Sequence, residues 1–97
     1  MFVACFEESI VGGRRVEQEE AHRRALSTLA TLPGFQGGAL LHFRGQPYRY
    51  RFETRWTSRD DWQRFADSDD FLAFRQALDA NLSAPFVTEL FDVKVEG

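Results

Sequence analysis

The segment from Tyr48 to Trp56 carries the side chains of this chain that are best suited to hold a flat organic molecule. Its residues alternate in type, so a strand here would present aromatic side chains on one face and charged ones on the other. The aromatic row is Tyr48, Tyr50, Phe52 and Trp56, and the charged row is Arg49, Arg51, Glu53 and Arg55. Aromatic rings supply large apolar area, and Tyr and Trp each add one polar group. The row is therefore either part of a hydrophobic core or the wall of a ligand pocket, and the segment alone leaves both open.

Arg75 is the second candidate for chemistry, because its guanidinium interrupts a helix face that also carries Phe71 and Leu78. Such a group either extends into solvent over its methylene stem or enters a cavity with an anionic partner. Trp56 and Trp62 are predicted to flank one corner of the sheet, so their indoles and Arg75 could meet over one space. Core packing of these side chains is the alternative.

The remaining reactive residue types form no recognisable motif. His22 and His42 have no metal-binding spacing, and we interpret each as a solvated or singly hydrogen-bonded side chain. The single cysteine, Cys5, excludes an internal disulfide and is interpreted as a small buried apolar residue. No serine has a nucleophile signature and no glycine pair forms a phosphate loop. We expect neither a bound metal nor a cofactor.

Composition limits the class of protein. The 97 residues are predicted to form one domain, residues 1–97, and a 43% hydrophobic content with ten Phe is high for that size. An excess of large apolar residues in a small domain often ends in an interface, so we expect a homodimer. The net charge of -3 and the absence of a basic block argue against a nucleic-acid partner. With no apolar stretch long enough for a bilayer and no basic leader, we expect a cytoplasmic protein without membrane association.

The hydrophobic periodicity predicts the order strand, helix, strand, strand, helix, strand. The strands are predicted at 2–10, 35–43, 48–56 and 86–95, and the helices at 16–32 and 58–82 with a break at Asp67–Ser68. Ser58 and Ser68 are predicted N-caps, with Asp61 completing a capping box. Right-handed crossovers then give an α+β, ferredoxin-like βαββαβ fold, in which a four-stranded antiparallel sheet carries both helices on one face.

The other face of this sheet is predicted to be the dimer interface. If the aromatic row faces the helices, the charged row joins Glu7 and Glu89 on the open face, beside apolar residues such as Val3 and Phe91. Opposite charges on neighbouring strands can pair there. Two such faces could stack to form a homodimer, and a partly solvated face is the alternative.

Three segments resemble the antibiotic biosynthesis monooxygenase superfamily of dimeric α/β barrels, and the resemblance covers nearly the whole chain. They are Leu32-Pro33-Gly34-Phe35, Phe52-Glu53-Thr54-Arg55-Trp56-Thr57-Ser58, and Phe65-Ala66-Asp67-Ser68-Asp69-Asp70-Phe71 leading to Arg75. These segments are specific for the fold and much less so for a reaction, because the superfamily includes cofactor-free oxygenases, haem-degrading enzymes and members without an assigned role.

The resemblance is greater to the branch that oxidises aromatic polyketides. That branch has a tryptophan at the end of the third strand, matched by Trp56, and an arginine in the last helix, matched by Arg75. Its tyrosine early in the intervening helix falls at Trp62, and its asparagine four residues before the tryptophan is Phe52 here. The haem-degrading branch is a poor match, since Glu7 or a neighbour of it, Phe65 and Arg75 stand where that branch uses Asn, Trp and His.

The resemblance implies a cofactor-independent monooxygenase that oxidises a polycyclic phenol, anthrone or quinol with dioxygen. Arg75 and Trp56 would be its catalytic residues, and the small aromatic substrate would contact a set of aromatic side chains: Trp62, Phe52, Tyr50, Tyr48, Phe65 and Phe71. Arg75 would stabilise the developing oxyanion in a dry pocket. The alternative is a noncatalytic small-molecule-binding or stress-related dimer with the same fold.

Overall fold

A computed structural model describes all 97 residues of the chain. Four strands and three helices follow one another in the order βαββααβ: β1 (Phe2–Ser9), α1 (Arg15–Leu29), β2 (Phe35–His42), β3 (Arg49–Trp56), α2 (Arg59–Ala66), α3 (Asp69–Asp79) and β4 (Val87–Asp92). The predicted ferredoxin-like arrangement is confirmed, with the second helical unit divided at Asp67–Ser68 as its sequence indicated.

The four strands form one antiparallel sheet in the order β2-β3-β1-β4. The two central strands pair along their full length, from Phe2 opposite Trp56 to Ser9 opposite Arg49. Because side chains alternate along a strand, this register places Phe6 beside Phe52 on one face and the charged row of β3 on the other. A register shift between Phe35 and Gly37 brings Phe35 onto the face of the aromatic row.

Four predicted element boundaries require correction, one of which is the end of the second helical unit, at Asp79 and not at residue 82. The first helix ends at Leu29, because the backbone tightens into turns in which Thr31 and Leu32 donate to carbonyls three residues back. The final strand ends at Asp92 and not at residue 95. Tyr48 precedes β3 and is half exposed, so it does not belong to the buried aromatic row.

The two short helices, α2 and α3, each begin with a serine N-cap. Ser58 accepts a hydrogen bond from the Asp61 amide at 3.2 Å, and Ser68 accepts one from the Phe71 amide at 3.3 Å. Asp61 does not return to the Ser58 amide as in a full capping box; its carboxylate accepts instead from the Ser58 hydroxyl at 3.0 Å. These caps fix where α2 and α3 begin over the sheet.

The helices cover the face of the sheet that carries the aromatic row, and the core between them is largely aromatic. Its buried members are Phe2, Ala4, Phe6, Leu29, Phe52, Trp56, Trp62, Phe65, Phe74, Leu78 and Phe86. The ring of Phe6 lies at the centre, with centroid distances of 5.4 Å to Phe74 and 5.1 Å to Phe86. Burial of so many rings supplies much of the apolar area that stabilises a domain of this size.

The open face of the sheet carries paired charges, as predicted. Glu7 accepts from Arg49 at 3.1 Å and from Arg51 at 2.9 Å, and Arg51 lies 3.8 Å from Glu89. Cys5 lies among these side chains with no exposed surface, and burial raises the pKa of its thiol. The interpretation of Cys5 as a buried residue is therefore confirmed.

Candidate functional site

A groove between α1 and α3 is the feature of this structure best shaped to hold a small organic molecule. Its volume is about 640 Å³, within the range of ligand pockets. Leu29, Phe65 and Phe74 line it with apolar side chains, and the small Ala73 and Ala77 keep α3 from filling it. The groove is wide because α3 presents alanines, not large residues, on this flank.

Charged side chains stand around the same groove. They are Glu17, Glu20 and Arg24 from α1 and Asp70 from the first turn of α3. Arg24 lies 3.8 Å from Glu20, and both side chains are about half or more exposed, so their attraction is weak. The groove thus joins an aromatic interior to polar groups that can exchange protons with water.

Two smaller cavities are also present. One of about 200 Å³ is lined by Trp56 and Asp61, and it shares Phe65 and Asp70 with the groove. The other, of about 400 Å³, lies between α1 and the hairpin of β2 and β3, where Tyr50 lines it together with other residues. Of the predicted ligand-contacting residues, Phe65 and Tyr50 line cavities, Phe52 and Trp62 lie in the core, and Phe71 packs against the core. Tyr48 is half exposed and lines none of the three cavities.

The corner predicted to hold substrate is filled by side chains. Trp56 and Trp62 do meet there, with ring centroids 5.8 Å apart, but both are buried and Phe65 stacks on Trp56 at 5.4 Å. The indole nitrogen of Trp56 donates to the Thr54 hydroxyl at 3.0 Å, so its polar group is already satisfied within the chain. Phe52 also lies wholly in the core.

The predicted meeting of Arg75 with the two indoles is wrong. Its side chain is half exposed, its Nε lies 3.7 Å from Asp79 Oδ2, and its guanidinium lies 5.6 Å from the centre of the Phe86 ring. Phe74, and not Arg75, continues the buried face of α3 between Phe71 and Leu78. Arg75 lies on the flank of α3 opposite the two groove alanines, since side chains two positions apart on a helix point in nearly opposite directions.

A buried polar network beneath α1 was missed in the sequence. His22 is 1% exposed, and its Nε2 lies 2.8 Å from Glu8 Oε2 while its Nδ1 lies 2.7 Å from the Gln18 carbonyl oxygen. Gln18 donates to the other Glu8 oxygen at 2.9 Å and accepts from Asn81 at 3.0 Å. The interpretation of His22 as solvated or singly hydrogen-bonded is therefore wrong.

The hydrogen-bonding capacity of this network is well matched. The Gln18 carbonyl oxygen can only accept, so His22 Nδ1 donates to it, and the Glu8 carboxyl group meets both the other ring nitrogen and the Gln18 side-chain amide. The ring also meets Phe52 edge-on, with centroids 4.7 Å apart. The network therefore fixes α1 against β1 in a place closed to water.

Tyr50 belongs to a second polar cluster on the same half of the sheet. Its hydroxyl donates to Glu19 at 2.6 Å and accepts from the Arg15 Nε at 3.3 Å. Burial raises the pKa of Tyr50, and the hydrogen bond to Glu19 raises it further. The phenol is thus held in its protonated form beside the 400 Å³ cavity.

No three His, Cys, Asp or Glu side chains are grouped so as to hold a metal ion. None of the helices combines the length and apolar character needed to cross a bilayer.

The sequence profile of the antibiotic biosynthesis monooxygenase family matches residues 1–77, which is most of the chain. The chain belongs to this family.

Solved structures share this fold. A protein from Bordetella bronchiseptica, provisionally assigned as an antibiotic biosynthesis monooxygenase, has a TM-score of 0.86 at 20% identity over 97% of each chain. SnoaB from Streptomyces nogalater, a cofactor-independent oxygenase, has a TM-score of 0.81 at 26% identity over 98% of this chain and 95% of its own. No curated protein sequence matches the chain. The fold is thus the one known as the dimeric α/β barrel, and family members typically form dimers.

Proposed function

We propose that this family member is a cofactor-independent monooxygenase that oxidises a polycyclic phenol, anthrone or quinol with dioxygen in the groove between α1 and α3. The observation that carries the proposal is the groove itself, about 640 Å³ in volume, with Phe65 and Phe74 among its walls. Its size suits a fused-ring molecule, and flat aromatic walls suit a planar one. The likeness to SnoaB, at 26% identity, supports the same class of reaction.

The proposed reaction requires a suitable binding environment more than a reactive side chain. A phenolate or enolate of the substrate transfers one electron to dioxygen, and the resulting radicals combine to form a carbon–oxygen bond. The hydroperoxide then loses water to leave a carbonyl, so one oxygen atom enters the product and the other leaves as water. All four electrons come from the substrate, and no external reductant is required.

Charged side chains around the groove suit two steps of this reaction, the loss of a proton from the substrate and the transfer of negative charge to oxygen. Glu17, Glu20 and Asp70 are carboxylates that can accept the proton lost by the phenol or enol. Arg24 is the cation of the groove, and it would stabilise negative charge as it moves onto oxygen. The apolar walls limit the competing hydration of the substrate anion.

Only some of the site residues predicted from the sequence line the groove or a cavity next to it. Phe65 contacts the ligand in the groove, and Trp56 borders the adjoining 200 Å³ cavity on the other side of Phe65. Tyr50 borders the 400 Å³ cavity. A catalytic role of Arg75 stays a prediction that the geometry does not favour, because its guanidinium lies over Phe86 and not in the groove.

One observation favours a noncatalytic binding protein as the second candidate. Phe52 occupies the position at which the oxygenases that this chain resembles have an asparagine. The indole nitrogen of Trp56, on the same strand, donates its hydrogen bond to Thr54. The corner of the sheet is therefore apolar and closed, while the groove outside it can still hold a small molecule.

Oxygen uptake separates the two candidates. Purified protein is mixed with a panel of anthrones and hydroquinones in buffer containing a chelator, and uptake is compared with uncatalysed autoxidation of each compound. Turnover above autoxidation that survives chelation supports the oxygenase. Uptake equal to autoxidation across the panel, together with binding of the same compounds, supports the noncatalytic alternative.

A further inference from the structure

The buried network leads from Glu8 to the groove, and each of its hydrogen bonds has a defined direction. The Glu8 carboxylate accepts from Gln18 Nε2 at 2.9 Å, which turns the Gln18 Oε1 away from the carboxylate. That oxygen can only accept, so the group it meets at 3.0 Å must be the Asn81 Nδ2, and not the Asn81 oxygen. The orientation of the Asn81 amide is thus set by Glu8 through Gln18.

This orientation leaves the Asn81 Oδ1 free. Asn81 is 6% exposed, lines the groove, and makes no intrachain hydrogen bond through this oxygen. The oxygen also keeps some accessible surface, since Asp79 Oδ1 is the only fully buried side-chain atom that lacks a partner. A largely buried residue of the groove wall therefore carries an unused acceptor that keeps some accessible surface.

The backbone around Asn81 holds this acceptor in place. The Asn81 amide nitrogen donates to the Leu78 carbonyl at 3.3 Å, and its carbonyl accepts from the Val11 amide at 2.9 Å. Ile10 and Leu82 form a bridge immediately beside it. With backbone and side chain both fixed, the acceptor is preorganised for a ligand group at one position.

We propose that Asn81 Oδ1 binds a hydroxyl group of the ligand, so that the groove selects hydroxylated polycyclic aromatics over the same ring systems without that group. The proposal rests on the groove being the ligand site of the proposed function. It also places a side-chain amide at the ligand, supplied by the turn that follows α3. Asn81 lies beyond the residues matched by the family profile.

The expected preference follows from the cost of an unmade hydrogen bond. A ligand with a hydroxyl at this position pairs the Asn81 oxygen, whereas an unsubstituted ring displaces water from it and leaves it unpaired. A neutral hydrogen bond of this kind corresponds to about a three- to tenfold difference in affinity. The preference concerns binding and does not require the ligand to react.

The test uses probes that dioxygen does not oxidise, so that binding is measured without turnover. Anthraquinone and a monohydroxylated anthraquinone, whose hydroxyl is remote from the quinone carbonyls, are titrated against the wild-type chain and two variants. Asn81→Leu removes the acceptor, and Gln76→Leu removes an exposed amide of α3 outside the groove. Near-ultraviolet circular dichroism checks that each variant is folded.

We expect the wild type and Gln76→Leu to bind the hydroxylated probe about three- to tenfold more tightly, and Asn81→Leu to bind the two probes equally. Equal affinities in the wild type, an unchanged preference in Asn81→Leu, or binding of neither probe would overturn the proposal. A second measurement needs no variant. In the wild type, the side-chain amide resonances of Asn81 should shift more with the hydroxylated probe, and equal shifts would contradict the assignment.

Oxygen uptake distinguishes this inference from the proposed function. A preference for the hydroxylated probe without oxygen uptake supports the role of Asn81 and rejects the oxygenase. Uptake above autoxidation with no such preference rejects the role of Asn81 and leaves the oxygenase standing.

Discussion

Glu8 on β1 and His22 on α1 are joined by a 2.8 Å contact between Oε2 and Nε2, with the two residues only 2% and 1% exposed. A charged or proton-sharing pair in such a place is stabilising only while both members are present, because either one alone would be buried without its partner. The pair also fixes Gln18, and through it Asn81 at the groove. It therefore links the packing of α1 to the geometry of the candidate site.

His22→Leu should lower the free energy of unfolding by about 3–5 kcal/mol, since it leaves the Glu8 carboxylate buried without its closest partner. Urea denaturation followed by circular dichroism measures this change. The control is Arg23→Ala, which breaks an exposed pair with Glu20 and should cost less than about 1 kcal/mol. Equal effects of the two substitutions would contradict the importance given to the buried pair.

Gly34→Ala should destabilise the chain more than Gly45→Ala. Both glycines have a positive φ, at 81° and 76°, so each alanine is strained by roughly 1 kcal/mol. Only at Gly34 would the added methyl collide with another side chain, the Asp61 carboxyl group, and overpacking adds about 1–3 kcal/mol. Thermal denaturation of both variants measures the difference. Equal losses would show that Asp61 gives way freely.

Tyr50 should make the chain less stable in strong alkali. Its folded pKa lies above the usual 10.0, so the unfolded chain loses the phenol proton first and unfolding is favoured as pH rises. The contribution is fully present below about pH 10 and is lost as pH passes through the folded pKa. Urea denaturation at stepped pH should show a shallower decline for Tyr50→Phe than for wild type. Tyr48→Phe, at a half-exposed position, should retain the wild-type decline, and a wild-type profile in Tyr50→Phe would contradict the argument.

The open face of the sheet should join two copies of the chain. Val87 and Phe91 are exposed there beside the paired charges of Glu7 and Arg51, an arrangement suited to burial against a second such face. Size-exclusion chromatography with light scattering should give twice the chain mass for the wild type and the chain mass for Phe91→Asp. Val95→Asp, outside the sheet, is the control and should remain dimeric. A wild-type monomer at micromolar concentration would reject this interface.

Much of the fold was predictable because its local signals agree. The alternation through β3 gave the face of each of its residues, and Ser58 and Ser68 marked the starts of α2 and α3. The faces of the helices were harder to predict. Arg75 and Phe74 both complete a helical period with Phe71 and Leu78, and the larger apolar gain of burying a phenylalanine decides between them.

The network and the groove depend on contacts between distant segments. Gln18 and His22 continue the buried stripe of α1 with Leu29. Because both are polar, a hydrophobic pattern does not include them, and their burial depends on the contact with Glu8 on β1. The groove depends on how far apart α1 and α3 pack, which sequence patterns do not give. A stripe of small residues, Ala73 and Ala77, was the one available signal.

If oxidation takes place in the groove between α1 and α3, a side chain that fills the groove should abolish it. Ala77→Trp places an indole in it, whereas Gln76→Trp places the same side chain on a part of α3 outside it. Oxygen uptake with a substrate that the wild type turns over is measured for both folded variants under chelation. We expect Ala77→Trp to fall to the rate of autoxidation and Gln76→Trp to keep the wild-type rate. Wild-type turnover in a folded Ala77→Trp variant would show that oxidation takes place outside this groove.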